Sequence, residues 1–199
     1  LVGRFEEAQG HVACDMLRVI ARVGGERAAA FLAIQCSHKE EEVQDEALRQ
    51  MRSMPYSGPV GRAFMDAYRH VDGQQRAQLL ELMERSRDKR FVEHLLKHLE
   101  EVGPETPLEE VGEVGRVIGL LAGERYVAQW KTALKPVGWL RKVLKGSNWQ
   151  QVLAASGLSV IPGQEIEDLL FEALKASIDA AEPHIRTAFN RHKQAGEAS

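Results

Sequence analysis

This 199-residue sequence has few aromatic residues, few cysteines and no long apolar run. Aromatic residues make up only 6% of the chain, which disfavours a β-sandwich or barrel built from aromatic-rich strands. No apolar run approaches the roughly 18–20 residues that a membrane-spanning helix needs, and no signal-peptide pattern opens the chain. The two cysteines are too few for a disulfide scaffold and suit a reducing compartment. We therefore expect a cytoplasmic protein that does not enter a membrane.

Strand-like alternation and a strong net charge are also missing. No segment alternates apolar and polar residues with the period of two that marks a half-buried strand. The formal net charge is only −3, which by itself indicates neither nucleic acid nor a membrane surface as a partner. Hydrophobic residues make up 44% and charged residues 28% of the chain, as in a globular protein with a core. Because the sequence opens with LVGRFEEAQG, without an initiator methionine, we expect a fragment of a longer protein.

One residue frame occurs twice, as RVIARVGGER at 18–27 and as RVIGLLAGER at 116–125. After each copy, apolar residues follow at i, i+3 and i+7, a spacing that places them on one face of an α-helix. This apolar stripe consists of Ala29, Leu32 and Cys36 in the first copy, of Val127, Trp130 and Leu134 in the second, of Val92, Leu95 and Leu99 in a third, and of Ile166, Leu169 and Ala173 in a weaker fourth. The repeating unit is therefore predicted to be a helix, a tight turn and a second helix.

Helix-start signals give an independent measure of the repeat length. Each signal is a Ser, Thr or Asp followed three residues later by Glu or Gln, an arrangement that caps the free N–H groups of a first turn. The signals begin at Ser37, Asp72, Thr106, Ser147 and Asp179. Their spacings of 35, 34, 41 and 32 residues are typical of stacked helical pairs, since one pair cannot bury its own apolar face.

The predicted architecture is all-α, with five stacked helical pairs and a terminal helix in a single domain over residues 1–199. The pairs are expected near 4–36, 37–71, 72–102, 106–135 and 147–178, and the last helix near 180–195. The sequence PYSGP at 55–59 is expected to form the turn within the second pair. The additional sequence KPVGWLRKVLKG at 135–146 lengthens one interval and predicts a short extra helix.

The repeats resemble HEAT repeats of the short bacterial kind, also called HEAT-like or phycobilin-lyase-type repeats. The resemblance is carried by EEVQDEALRQM at 41–51, by RVIGLLAGERYVAQWKTAL at 116–134 and by EPHIRTAF at 182–189. It covers nearly the whole chain and implies a right-handed α-solenoid whose second helices line a concave surface. Since proteins of this kind are mostly scaffolds and adaptors, with a few enzymes, the resemblance implies a protein partner.

A basic stretch with interleaved tryptophans lies between residues 126 and 164, where the sequence has no Asp or Glu. Such a strip could hold phosphates electrostatically and stack bases. Alternatively, Trp130 and Trp149 fill the core and the lysines form an ordinary solvated face. The alignment of Trp130 with the stripe favours the core interpretation for that residue. The candidate residues for binding an anionic ligand or an acidic partner are Lys131, Lys135, Trp139, Arg141, Lys142 and Lys145.

Two other clusters offer chemistry that a simpler interpretation also explains. A tetrahedral zinc site is conceivable from Cys14, Cys36, His11 and His38. The spacing lacks the short Cys–Cys pairing of structural zinc, however, and Cys36 occupies an apolar stripe position. The three glutamates at 40–42 resemble a carboxylate cluster, but they lie in the first turn of a predicted helix, where negative charge complements the helix dipole.

The sequence contains no recognisable catalytic motif. His94 and His98 are four residues apart on one predicted helix but lack the Glu of the metalloprotease pattern. A nucleophile motif and a glycine-rich phosphate loop are both missing. We therefore expect no enzymatic activity, no metal and no cofactor, and predict a non-enzymatic protein-binding scaffold that uses the solenoid surface. The alternative is binding of nucleic acid or another polyanion through the basic strip at 131–149.

Overall fold

The structure is a computed structural model that describes residues 2–5, 8–36, 38–54, 58–71, 73–103, 105–134, 148–177 and 179–197. Over these residues the chain is all-α and contains no strand, which confirms the all-α part of the predicted fold. The helices are α1 (Val2–Phe5), α2 (Gly10–Val23), α3 (Gly25–Gln35), α4 (Glu41–Ser53), α5 (Gly58–His70), α6 (Gly73–Ser86), α7 (Arg90–Val102), α8 (Leu108–Ala122), α9 (Val127–Leu134), α10 (Asn148–Leu158), α11 (Gln164–Ala176) and α12 (Glu182–Glu197). A 3-10 helix, Gly123–Tyr126, precedes α9. None of the helices in these ranges combines the length and apolar composition needed to cross a membrane.

The chain forms two compact units, Leu1–Ser86 and Arg87–Ser199, here called unit 1 and unit 2. In unit 1, α2 packs against α4, and α3 packs against both α4 and α5. Both α4 and α5 also contact α6. In unit 2, α10 contacts α8, α9 and α12, while α11 contacts α9 and α12 and α7 contacts α8. Each residue range predicted for a helical pair contains two consecutive helices, and α12 is the predicted terminal helix.

The repeated sequence frame builds a similar glycine turn in each unit. Gly24 ends α2 with φ +71°, and its N–H donates to the backbone O of Ile20 at 3.2 Å. Gly123, which aligns with Gly25 (φ +80°) in the repeated frame, ends α8 with φ +58°, and its N–H donates to the backbone O of Gly119. These left-handed conformations favour glycine because a Cβ would clash with the backbone. The RVI of each copy therefore lies near the end of one helix, and Gly-Glu-Arg begins the next helix.

The predicted apolar stripe contributes buried residues to α3, α7, α9 and α11. Its members in α3, α7 and α9 are buried, apart from the half-buried Val127. The fourth copy differs, because Leu170 is fully buried whereas Leu169 is half-buried. The buried face of α11 runs through Ile166, Leu170 and Ala173, whose i, i+4, i+7 spacing also follows the helical period.

Glycines allow α8 and α10 to approach each other closely. A Cβ added at Gly115 would lie 2.5 Å from the backbone O of Leu153, and one added at Gly119 would clash with the backbone O of Gly157. On its other side, Gly157 faces the ring of Trp130, whose Cη2 would lie 2.5 Å from an added Cβ. Every residue of α10 from Gln151 to Leu158 is buried, so α10 is the central helix of unit 2.

The observed helix starts differ from the predicted capping boxes. Ser37, Asp72 and Ser147 lie outside the described residues, as do residues 55–57 of the predicted turn. The hydroxyl of Thr106 donates to the backbone O of Val102 at 2.9 Å, and α8 begins after Pro107 without a side-chain cap. Oδ1 of Asp179 accepts the N–H of Ala181 at 3.1 Å, in the turn just before α12 begins at Glu182.

Candidate functional site

Lys131 is the member of the predicted basic strip that the structure describes, and its charge is already paired. It lies on α9, and its Nζ is 2.5 Å from Oε1 of Glu165 on α11. This ion pair places a carboxylate beside the ammonium group that Lys131 would offer to a phosphate. The other candidate residues, Lys135, Trp139, Arg141, Lys142 and Lys145, lie outside the described residues, so the polyanion-binding strip stays a prediction.

The surface around Lys131 forms a shallow cavity of 430 Å³. Its charged lining consists of Glu124, Lys131 and Glu165, and Ile161, Pro162 and Ile166 form part of the apolar lining. A polyanion in this cavity would face two carboxylates and one ammonium group. Electrostatics at this part of the predicted strip therefore disfavour a phosphate backbone.

The two tryptophans that the structure describes both contribute to packing within unit 2. Trp130 is buried beside Gly157, which confirms the core interpretation for this residue. Trp149 is half-buried, and its ring lies so close to Gly103 that an added Cβ would be 2.9 Å from Cδ2. Stacking on nucleobases would require a free ring face, which the buried ring of Trp130 does not offer.

Both cysteines are buried free thiols with different surroundings. The Cys14 thiol donates to the backbone O of Glu42 at 3.6 Å, and the Cys36 thiol donates to the backbone O of Leu32 at 3.4 Å. Burial raises the pKa of Cys36 to about 12, and burial together with the charge of Glu42 raises the pKa of Cys14. The described ranges contain no group of three or more His, Cys, Asp or Glu side chains placed to hold a metal ion.

The remaining polar clusters have structural contacts that account for them. Glu41 and Glu42 are exposed in the first turn of α4, where the sequence predicted them. Glu40 Oε2 accepts the N–H of Gly10 at 2.8 Å, at the start of α2. His94 is exposed whereas His98 is buried, so the two imidazoles of α7 have different environments.

An apolar groove between α3 and α5 is the candidate site that sequence reasoning missed. Four alanines form much of its lining, and their small side chains leave a cavity of 490 Å³. These alanines are Ala30, Ala33, Ala63 and Ala67. Ile34 lies at the groove with 68% of its surface exposed, although large apolar side chains are usually buried. The groove therefore offers an open apolar surface next to an exposed aliphatic side chain.

The polar groups of this groove are engaged mainly with their own helix. Nδ1 of His70 lies 2.6 Å from the backbone O of Asp66, and the Asp66 carboxylate is 3.4 Å from Arg69. The direct packing of α3 on α5 brings the alanine faces of the two helices together. The sequence signal for this groove was the spacing of alanines, at i and i+3 on α3 and at i and i+4 on α5. Alanine also has the highest helix propensity, so this spacing does not by itself indicate a groove.

Comparison with known proteins finds no protein-family model that matches this chain and no matching curated protein. The resemblance to HEAT repeats therefore stays a prediction from the sequence pattern.

Proposed function

We propose that this protein is a non-enzymatic scaffold that binds a partner protein through the groove between α3 and α5. The observation that supports this most directly is the combination of an open, alanine-lined cavity of 490 Å³ with the exposed Ile34. Small side chains at the floor leave room for large apolar side chains from a partner, and buried apolar anchors dominate the energetics of such contacts. An amphipathic partner helix that packs its apolar face against the exposed Ala30 and Ile34, above the buried alanines of the floor, fits this shape.

The proposal includes the finer architecture of stacked helical pairs of the HEAT type. In such stacks, first helices contact first helices and second helices contact second helices. The contacts of α2 with α4 and of α3 with α5 support this arrangement within unit 1. The contacts of α8 with α10 and of α10 with α12 support it within unit 2. The resemblance places second helices on the concave side, and α3 and α5 are second helices.

Site-specific photo-crosslinking tests the proposed function. A photoreactive amino acid at Ile34 reports on the groove, and the same amino acid at Val12 serves as the matched control. Val12 is 48% exposed and lies on α2, outside the groove lining. We expect crosslinking to a specific protein from position 34 but not from position 12.

A second variant connects the crosslink with the shape of the groove. Ala30 lines the groove and is itself exposed, so Ala30→Trp fills the cavity from the surface without disturbing buried packing. We expect this substitution to abolish the crosslink from position 34 while circular dichroism stays unchanged. Equal capture from both positions, or capture that persists in Ala30→Trp, would contradict the proposal.

A further inference from the structure

Two phenylalanine rings, each with a lysine over it, form a surface on α11 and α12 that we call the Phe–Lys pad. The ring centroids of Phe171 and Phe189 are 5.7 Å apart, with the ring planes inclined by 35°. Nζ of Lys175 lies 5.0 Å from the centroid of Phe171, and Nζ of Lys193 lies 5.8 Å from that of Phe189. Both distances are within the range of cation–π contacts.

One sequence spacing, used twice, builds this pad. Phe171 precedes Lys175 by four residues, and Phe189 precedes Lys193 by four residues. Side chains four residues apart share a helix face, so each lysine reaches over the ring one turn before it. Since α11 packs against α12, the two Phe–Lys faces adjoin. The pad is thus a surface to which both α11 and α12 contribute a ring and a lysine.

The pad combines apolar area with accessible positive charge. Phe171 is 45% exposed, Phe189 is half-buried and Lys193 is exposed. Lys175 is 3.0 Å from Glu172, but both side chains of this ion pair are more than half exposed. Such solvent-exposed pairs are weak, so a carboxylate from a ligand can replace Glu172 at little cost. Rigid aromatic rings supply contact area with little loss of side-chain entropy.

We propose that the Phe–Lys pad binds an acidic peptide segment in which an aromatic or aliphatic side chain lies between carboxylates. The apolar side chain would pack against the part of the ring pair that the lysines leave exposed, such as the 45% exposed surface of Phe171. The flanking carboxylates would reach Lys175 and Lys193. Charge complementarity identifies this occupant, because an ammonium group lies over each of the two adjoining rings. The inference does not depend on the groove between α3 and α5, which lies in unit 1.

The charges around the pad favour a short acidic peptide over a nucleic acid. The helix that carries Phe171 and Lys175 also carries Glu165, Glu167, Asp168 and Glu172. A nucleic acid bears a phosphate at every nucleotide and would meet these carboxylates as it extends along α11. A short peptide can place its negative charges at the two lysines and avoid Glu165, Glu167 and Asp168, so that Glu172 is the one carboxylate of this helix that it would displace.

Fluorescence anisotropy of a labelled peptide, titrated with the full chain, tests the proposal. The probe has a central Trp-Leu pair flanked by glutamates. We expect saturable binding that Lys175→Glu combined with Lys193→Glu weakens by at least about tenfold, because attraction becomes repulsion. Phe171→Ser should weaken binding independently of charge. The matched control is Lys97→Glu, which reverses the charge of an exposed lysine on α7 and should leave binding unchanged.

Two competing probes decide which ligand the pad serves. The same titrations use an oligo-deoxythymidine and vesicles that contain phosphatidylserine. Tighter binding of either probe, lost in the double lysine variant, would overturn the peptide proposal in favour of that ligand. Absence of saturable peptide binding at about 1 mM protein would also overturn it. Because the substituted side chains are exposed, unchanged melting temperatures should show that the variants are folded.

Discussion

Glycine sets the distance between α8 and α10, and its effect can be measured one residue at a time. Glycine-to-alanine substitution in a helix normally stabilises by about 0.5–1 kcal/mol, because alanine loses less backbone entropy. At Gly115 the new methyl would lie 2.5 Å from a backbone oxygen, which cannot move without its helix. We therefore expect Gly115→Ala to lower the free energy of unfolding by about 1–3 kcal/mol, as overpacking does in other cores. Thermal or chemical denaturation measures the change.

Gly196 provides the control for this substitution. It lies on α12, where no atom is within 4 Å of an added Cβ. Gly196→Ala should leave the stability unchanged or raise it slightly. Equal destabilisation at both positions would show that close helix packing is not the cause.

The carboxylate of Glu113 joins α8 to α12. It accepts a hydrogen bond from Nε of Arg116 at 2.8 Å and lies 3.1 Å from Arg191. Burial alone would raise the pKa of Glu113, but the hydrogen bond and charge of Arg116, together with Arg191, lower this pKa below its usual value. A carboxyl whose pKa is lower in the folded state than in the unfolded state stabilises the fold when it is ionised.

This pKa shift predicts how stability depends on pH. The contribution of Glu113 is fully present above its unfolded pKa, about 4.3, and is lost as the pH falls through the lower folded pKa. We expect Glu113→Gln to lower the melting temperature at pH 7, and the difference from wild type to shrink as the pH falls below about 4. Arg191→Gln should retain part of the pH dependence, because Arg116 remains. A difference that stays constant down to acid pH would contradict this account.

The buried thiols should be unreactive in the folded protein. With its pKa at about 12, Cys36 is almost entirely protonated at pH 8, and thiolate is the reactive form. We expect iodoacetamide to modify Cys36 slowly in the native protein and quickly in guanidinium chloride, as followed by mass spectrometry. A cysteine introduced by Val12→Cys is the exposed control and should react at once. Rapid native modification of Cys36 would contradict its placement in the core.

Between elements, a buried carboxylate holds α2 against α4. The side chain of Glu46 is only 4% exposed. Arg18 donates to both of its oxygens, with Nε at 3.0 Å and a terminal nitrogen at 3.2 Å, and Gln50 donates at 2.6 Å. Arg49 also forms an ion pair with Glu46 from the same helix. A carboxylate this deeply buried requires most of these donors to remain favourable.

Removing Arg18 should therefore destabilise the contact between the two helices. We expect Arg18→Ala to lower the free energy of unfolding by about 1–3 kcal/mol, less than for a fully orphaned charge because Arg49 and Gln50 remain. The control is Arg62→Ala, which removes an ion pair with Glu26 in which both side chains are largely exposed. That change should be below about 1 kcal/mol. Similar losses in the two variants would contradict a special role for burial.

The sequence predicted the elements better than their contacts. The periodicity of apolar residues was sufficient to predict the helices and the burial of stripe residues such as Leu95, because the buried positions of a helix recur with each turn. Thr106 was expected to cap α8, but its hydroxyl donates to the end of α7, since free carbonyls there compete for the same group. The groove between α3 and α5 depends on which two helices are neighbours, and alanine spacing within one helix does not contain that information. The contact between the rings of Phe171 and Phe189 likewise depends on α11 and α12 being neighbours, which the sequence of either helix alone does not show.

At the scale of the whole chain, tryptophan fluorescence reports on the folding of unit 2. The three tryptophans, at positions 130, 139 and 149, all belong to unit 2. Unit 2 also has its own core, with fully buried side chains such as Ile118 and Leu158. We expect a chain of residues 87–199 alone to be helical and to unfold cooperatively by both circular dichroism and tryptophan fluorescence. A gradual, non-cooperative loss of either signal would contradict this expectation. The prediction of one continuous repeat domain stays a prediction beside these two units.

The glycine contact between α8 and α10 also limits how unit 2 could have been assembled or could be re-engineered. Repeats are commonly shuffled, duplicated or replaced by consensus copies, because each copy presents a similar surface to the next. A transplanted copy with ordinary side chains at the positions of Gly115 and Gly119 would be held away from the backbone of its neighbour. The pairing of α8 with α10 thus depends on positions that have no side chain, and exchange of either helix would require both helices to be replaced together.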